Sequence, residues 1–164
     1  MVRAITSTTR ELRNGEVDGV DYHFLDRKEF MVQVDRGGFL EHAEVHQNLY
    51  GSPAAAIEKQ LESAEVVLLN IDVQGVMQLM ERKVDALSIF IEPPSVAELK
   101  KRLEERGDQE TETMELRIKN AIVELELKDR YDHCVVNDEL DVAVDEVKKL
   151  VEESITSRRS AGDR

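Results

Sequence analysis

The sequence predicts an α/β fold built on a parallel sheet, with a small β-rich subdomain inserted near the N-terminus. Three observations predict it. Residues 4–52 carry closely spaced turn signals, Asn14-Gly15, Asp18-Gly19, Gly37-Gly38 and Tyr50-Gly51, between short apolar runs; these mark short, mostly antiparallel strands. After residue 64, continuous apolar runs alternate with stretches of helical period, as do buried parallel strands joined by crossover helices. The 164 residues, 41% apolar and 35% charged, suit one globular domain.

Taken in order, Tyr22-His23-Phe24 and residues 39–45 read as strands. Between them, residues 28–36 place Phe30 and Val34 four apart and end at Gly37, a brief helix with a glycine stop. Ser52-Pro53 ahead of Ala54 offers an N-cap followed by proline at the first helical position, with the helix running to about residue 63. Residues 66–71, 87–91 and 134–136 read as parallel strands. Ser95 and Glu98 form a capping box before a helix with Val96, Leu99 and Leu103 on one face. Met114, Ile118, Ala121 and Leu125 mark the next helix. A third starts at Asp138, with Leu140, Val144, Val147 and Val151 on its apolar face. Residues 156–164 are polar and aperiodic, a frayed, flexible tail behind a single domain of residues 1–155.

Composition excludes several classes of function. With 35 acidic against 22 basic residues, the net charge of −13 repels phosphate backbones and anionic lipid, so neither nucleic acid nor membrane is expected as partner. The single cysteine, Cys134, excludes a disulfide framework. No apolar run is long enough for a bilayer and the first residues lack a signal-peptide pattern; a cytoplasmic location is expected. His42, Glu44 and His46 alternate as on a half-solvated strand and are not read as a metal site, nor is His133-Cys134, which lacks a third partner.

Two arginine groups stand out in so acidic a chain. Arg10 and Arg13 lie among hydroxyls near Tyr22, and paired guanidinium forks match phosphate oxygens, although two arginines beside a turn are ordinarily just solvated. Arg102 and Arg106 are four apart on a helix, and Arg117 opens the next. Converging guanidinium groups stabilise a transferring phosphoryl group; the alternative is a charged face paired with Glu98, Glu104 and Glu105, which carries little energy.

The motifs from Thr6 to Phe24, Phe39-Leu-Glu-His-Ala43, Asn48-Leu-Tyr-Gly-Ser52, Asn70-Ile-Asp-Val-Gln-Gly-Val76, Pro93-Pro-Ser95, Lys101-Arg-Leu-Glu-Glu-Arg-Gly107 and Val136-Asn-Asp138 occur in an order that resembles the guanylate kinase family over nearly the whole chain. The resemblance implies a P-loop kinase-like core, a GMP-binding subdomain at about residues 5–56 and a helical lid at about 97–128. It implies that Arg10, Arg13, Tyr22 and Tyr50 hold the GMP phosphate, that Glu41 and Ser52 read guanine, and that Thr6, Asn70 and Asp72 complete the GMP site. Arg102, Arg106 and Arg117 match the lid arginines that act on the transferring group, with Arg106 and Asn137 on the ATP side and Mg²⁺ accompanying ATP. Asn70 stands where the family has an aspartate, which removes a negative charge near the expected phosphates.

The family's first strand, phosphate loop and following helix are expected ahead of Thr6, where this sequence has five residues, and no G-x-x-x-x-G-K-[ST] run occurs in it. The chain therefore reads as about thirty residues short at the front, by the usual length of a βαβ unit. A lost central strand would forfeit roughly 10 kcal/mol of burial and leave strand edges open to self-association. The expected activity is ATP:GMP phosphotransfer, impaired or absent in these residues as they stand. The alternatives are a GMP-binding pseudokinase and a guanylate-kinase-like protein-interaction module.

Overall fold

The computed structural model describes residues 1–45, 47–105 and 114–162. They fall into two compact units, Met1–Val84 and Asp85–Arg164.

The first unit contains β1 (Val2–Arg3), β2 (Ser7–Thr8), β3 (His23–Phe24), α1 (Arg27–Asp35), β4 (Phe39–Val45), β5 (Asn48–Pro53), α2 (Ala54–Leu61), β6 (Val67–Leu68) and α3 (Val73–Glu81). Its main sheet has the order β3-β2-β5-β4. β2 and β4 run antiparallel to β5, whereas β2 and β3 are parallel, so the sheet is mostly antiparallel as expected. Parallel pairing requires a crossover, and residues 9–22 supply it.

α1 starts where its sequence says it should. Asp26 accepts from the Glu29 N–H at 2.7 Å, and Glu29 reaches back to the Asp26 N–H at 3.1 Å, a capping box. Gly37, at φ 66°, ends it in the left-handed region. The fully buried Phe30 of α1 stacks on Phe39 with ring centroids 4.5 Å apart, and Leu49, Leu25 and Val34 complete this core. Gly51 lies beneath the two rings, where a Cβ would come within 2.9 Å of Phe39.

The β4–β5 ladder has one irregularity with large consequences. Phe39 pairs with Pro53 but Glu41 with Ser52, so β4 advances two residues while β5 advances one. Such a bulge switches the face on which the following side chains emerge. Phe39 thereby joins Leu49 on the core face, while Glu41, Ala43, Tyr50 and Ser52 share the other. Through the pairings Thr8 with Tyr50 and Thr8 with Phe24, alternation places Thr6 and Tyr22 on that second face too.

Elsewhere in this unit the sequence reading is corrected. Residues 66–71, expected as one long buried strand, form only β6, with Leu68 exposed. Its partner is the short β1, unassigned from sequence, which leaves the ladder at Ala4 after Ala4 N–H donates to Leu68 C=O at 2.9 Å. Ser52 is not the cap of α2. Pro53 occupies that position without a side-chain hydrogen bond, because the Ser52 hydroxyl faces Glu41.

The second unit contains β7 (Ile89–Glu92), α4 (Val96–Glu105), α5 (Met114–Leu125), a 3₁₀ turn at Lys128–Arg130, β8 (His133–Val136) and α6 (Leu140–Gly162). β7 and β8 pair in parallel over four residues each. The parallel sheet expected from sequence is thus present as two separate two-stranded ladders, β1-β6 and β7-β8. Ser95 caps α4 by accepting from the Glu98 N–H at 3.1 Å. α6 runs on through residues 156–162, expected as a tail, and Arg158 makes two bonds to Asp85 at 2.7 and 2.8 Å. On it Ala143 is buried and Val147 and Val151 are half-buried, whereas Leu140 is 67% and Val144 40% exposed, so the expected apolar face is covered only in its later part. Among the described residues, no helix is long and apolar enough to cross a membrane.

Candidate functional site: a buried carboxylate and two tyrosines on one cavity

Thr6, Tyr22, Glu41, Tyr50, Asn70 and Asp72, six of the nine residues expected at a GMP site, line one cavity of about 240 Å³ in the first unit, together with Val45, Gly51 and Ile71. The sheet face described above supplies the first four. The segment from β6 into α3 supplies Asn70, Ile71 and Asp72, and β4 and β5 supply Val45 and Gly51.

Glu41 lies on the cavity wall and is only 2% exposed. A carboxylate so placed needs partners, and the bulge provides one: the Ser52 hydroxyl, itself fully buried, donates to Glu41 Oε1 at 2.5 Å. The other oxygen lies against the first turn of α3, where a Cβ on Gly75 would approach Oε2 to 2.5 Å. A side chain at position 75 therefore fits only if the Glu41 carboxylate shifts. Burial pushes the Glu41 carboxyl above the ordinary range; the Ser52 hydrogen bond opposes this, the charge of Asp72 adds to it, and the charge of Arg82 opposes it more weakly.

Asp72 is the N-cap of α3, accepting from the Gly75 N–H at 3.0 Å. Its carboxylate therefore holds the turn that packs on Glu41, a task the sequence reading did not assign to it. Gln78 and Arg82, both missed from sequence, fasten α3 to β4. The Gln78 amide donates to the His42 C=O at 2.5 Å and accepts from the His42 N–H at 3.3 Å, and Arg82 donates to the Leu40 C=O at 2.7 Å. A glycine inside a helical pattern was the available signal for the close approach at Gly75. Nothing in the sequence pointed to Gln78.

Arg10 is largely enclosed. It donates to Glu16 Oε1 at 2.7 Å and to the Glu11 C=O at 2.6 Å, and its guanidinium carbon lies 5.5 Å from the Tyr22 ring centre. Tyr22 meets Phe24 and Tyr50 edge-on at 5.8 and 6.2 Å. Glu16, then burial in opposition, then the charge of Tyr50 set the guanidinium pKa, with a net rise. Arg13 stands on the following turn and is exposed.

In the second unit, Arg102 donates to the Asn137 C=O at 2.9 Å and to Glu98 at 3.3 Å. Arg102 and Asn137 line a cavity of about 490 Å³ with Ile91, Pro93, Leu99 and Leu103. Arg117 is on α5, which packs on α4. Arg106 and His46 lie outside the described residues. Among the described residues no group of three or more His, Cys, Asp or Glu is placed to hold a metal ion.

A family model described as Guanylate kinase matches residues 2–154. This chain belongs to the guanylate kinase family. It is 43% identical over 148 residues to the guanylate kinase of Clostridium perfringens, an alignment covering 90% of this chain and 68% of that one. It is 44% identical over 147 residues to the enzyme of Hahella chejuensis, covering 90% and 71%. The crystal structure of guanylate kinase from Anaplasma phagocytophilum superposes with a TM-score of 0.80 at 34% identity, over 93% of this chain and 76% of that one.

Two consequences are testable. Alanine is the better helix former by about 1 kcal/mol, yet Gly75→Ala drives a methyl into Glu41, and such overpacking costs about 1–3 kcal/mol. A net loss of stability is therefore expected in denaturant unfolding, and a gain would contradict the close contact. Glu41→Gln tests the carboxylate itself. Because the folded-state pKa is raised, wild-type stability is complete below the ordinary carboxylate pKa and is lost as pH rises through the raised value. The stability of the glutamine variant relative to wild type should therefore increase as pH rises above the ordinary carboxylate range, from about pH 4 upward; a difference independent of pH would refute this.

Proposed function

We propose that the first unit binds GMP and that the chain serves ATP:GMP phosphotransfer. The observation that carries this is the buried Glu41–Ser52 pair facing a cavity whose sheet face also bears Tyr22 and Tyr50. Guanine offers adjacent N1 and amino hydrogens on one edge, and a carboxylate with two acceptor oxygens matches them. Adenine lacks that donor pair and would leave Glu41 buried and unmatched, the kind of mismatch that gives strong discrimination. A serine hydroxyl has one proton. On guanine binding it would turn from Glu41 to O6, freeing both carboxylate oxygens for the base. Thr6, Asn70 and Asp72 border the same cavity.

Arg10, Arg13, Tyr22 and Tyr50 would hold the phosphate, two guanidinium groups opposing a dianion with the phenols as hydrogen-bond donors. Arg102, Arg106 and Arg117 would neutralise charge on the transferring group, and Asn137 would lie toward adenine. Transfer moves the γ-phosphoryl of ATP to a phosphate oxygen of GMP, giving ADP and GDP. It also needs donors for the ATP phosphates of the kind a G-x-x-x-x-G-K-[ST] loop supplies, and the 164 residues contain no such run. These residues are therefore proposed to bind GMP without turning over by themselves.

Calorimetric titration should show GMP preferred over AMP, with Arg13→Ala removing measurable GMP binding; equal affinity in variant and wild type would reject the phosphate clamp. A coupled assay should detect no ADP release from this chain with ATP and GMP. Turnover there would show that the ATP phosphates are anchored by other residues.

A further inference from the structure

Glu16 has no place in the site as built so far, yet it touches both members of the arginine pair. Its Oε1 accepts from Arg10 Nη2 at 2.7 Å, and its Oε2 accepts from the Arg13 backbone N–H at 2.8 Å. The Arg13 C=O in turn accepts from the Glu16 N–H at 3.1 Å. Residues 13–16 are thus a β-turn closed from both ends, with Gly15 at φ 91° in a position that strains any residue bearing a side chain.

Arg10 is held from three directions: by Glu16 along one edge, by the Glu11 C=O at 2.6 Å, and by the Tyr22 ring across its face. Exposed ion pairs usually contribute little, but here the side chains are only 13% and 20% exposed. The carboxylate also grips backbone, so its removal would loosen the turn and the guanidinium together.

We infer that Glu16 is a positioning residue for the phosphate clamp, fixing the Arg10 guanidinium and the Arg13 turn in one arrangement before a phosphate monoester arrives. The inference rests on the GMP reading above. Two effects of the carboxylate oppose each other. It repels an approaching dianion, but solvent and salt weaken that repulsion. It also spares the cost of immobilising a rotamer-rich arginine on binding, and the enclosure of Arg10 makes this the larger effect.

The test compares GMP with guanosine, which has the base but no phosphate, by titration and competition on the intact chain. Glu16→Ala should weaken GMP about tenfold, the size of one charge-assisted hydrogen bond, and leave guanosine unchanged. Glu16→Gln retains an acceptor and the side-chain shape and should fall between the two. An unchanged ratio of GMP to guanosine affinity in both variants would overturn the inference, because an equal loss of both ligands means general damage. Tighter GMP binding in Glu16→Ala would overturn it too, by making repulsion the dominant effect. Wild-type chain that binds GMP no better than guanosine would overturn the phosphate reading along with it, whereas discrimination retained in wild type and unaltered in both variants defeats only the role of Glu16.

Discussion

The placement of one buried carboxylate organises most of the first unit. Glu41 is surrounded by protein on every side but the cavity, and its neighbours other than Asp72, whose charge opposes it, are of kinds that suit a buried anion. The opposite strand supplies a hydroxyl, the facing helix supplies a residue without a side chain, and Arg82 supplies a distant positive charge. The β-bulge belongs to the same constraint. A regular ladder would put Phe39 and Glu41 on one face, and no single environment suits both. The extra residue sends the ring into the core with Phe30 and the carboxylate toward the cavity.

The acidity of the chain has a local use as well as a bulk one. Glu16, Asp18, Asp21, Asp26 and Asp72 each accept a backbone N–H within loops or at helix starts. Asp18 and Asp21 brace the loop ahead of Tyr22, bonding the N–H groups of Phe24 and Val17 at 2.9 and 2.8 Å. Short strands provide few ladder bonds, so carboxylates do the work of holding the crossover between β2 and β3. The negative charge of −13 thus includes groups fastened to backbone donors a few residues away.

Legibility in the sequence followed the range of the interaction. The cap at Ser95, the span of β4 and the glycine stop at Gly37 were readable because each is settled within about four residues, whereas the capping box at Asp26, equally local, went unread. The second acid of the Asn70-Ile-Asp72 motif was readable as a cavity residue, but its capping of α3 was not, since both tasks use the same side chain. Ser52 was ambiguous for the same reason, and only the opposite strand decides it. The extent of β6 depended on how far β1 stays beside it, and the buried face of α6 on what it packs against. Neither is encoded in hydrophobic period. The bulge at Phe39 is invisible to a pattern of alternation because it is a break in that pattern.

Gln78 has a consequence beyond steadying α3. β4 is the last strand of its sheet, and the free side of such a strand presents a row of donors and acceptors that another chain can extend. At His42 both of those groups are already engaged by the side-chain amide of Gln78. A primary amide carries the same donor and acceptor as a peptide unit, so one glutamine imitates a single residue of a missing neighbouring strand. The sheet is capped there much as a helix is capped at its end, and its boundary is chemically closed at the strand that carries Glu41.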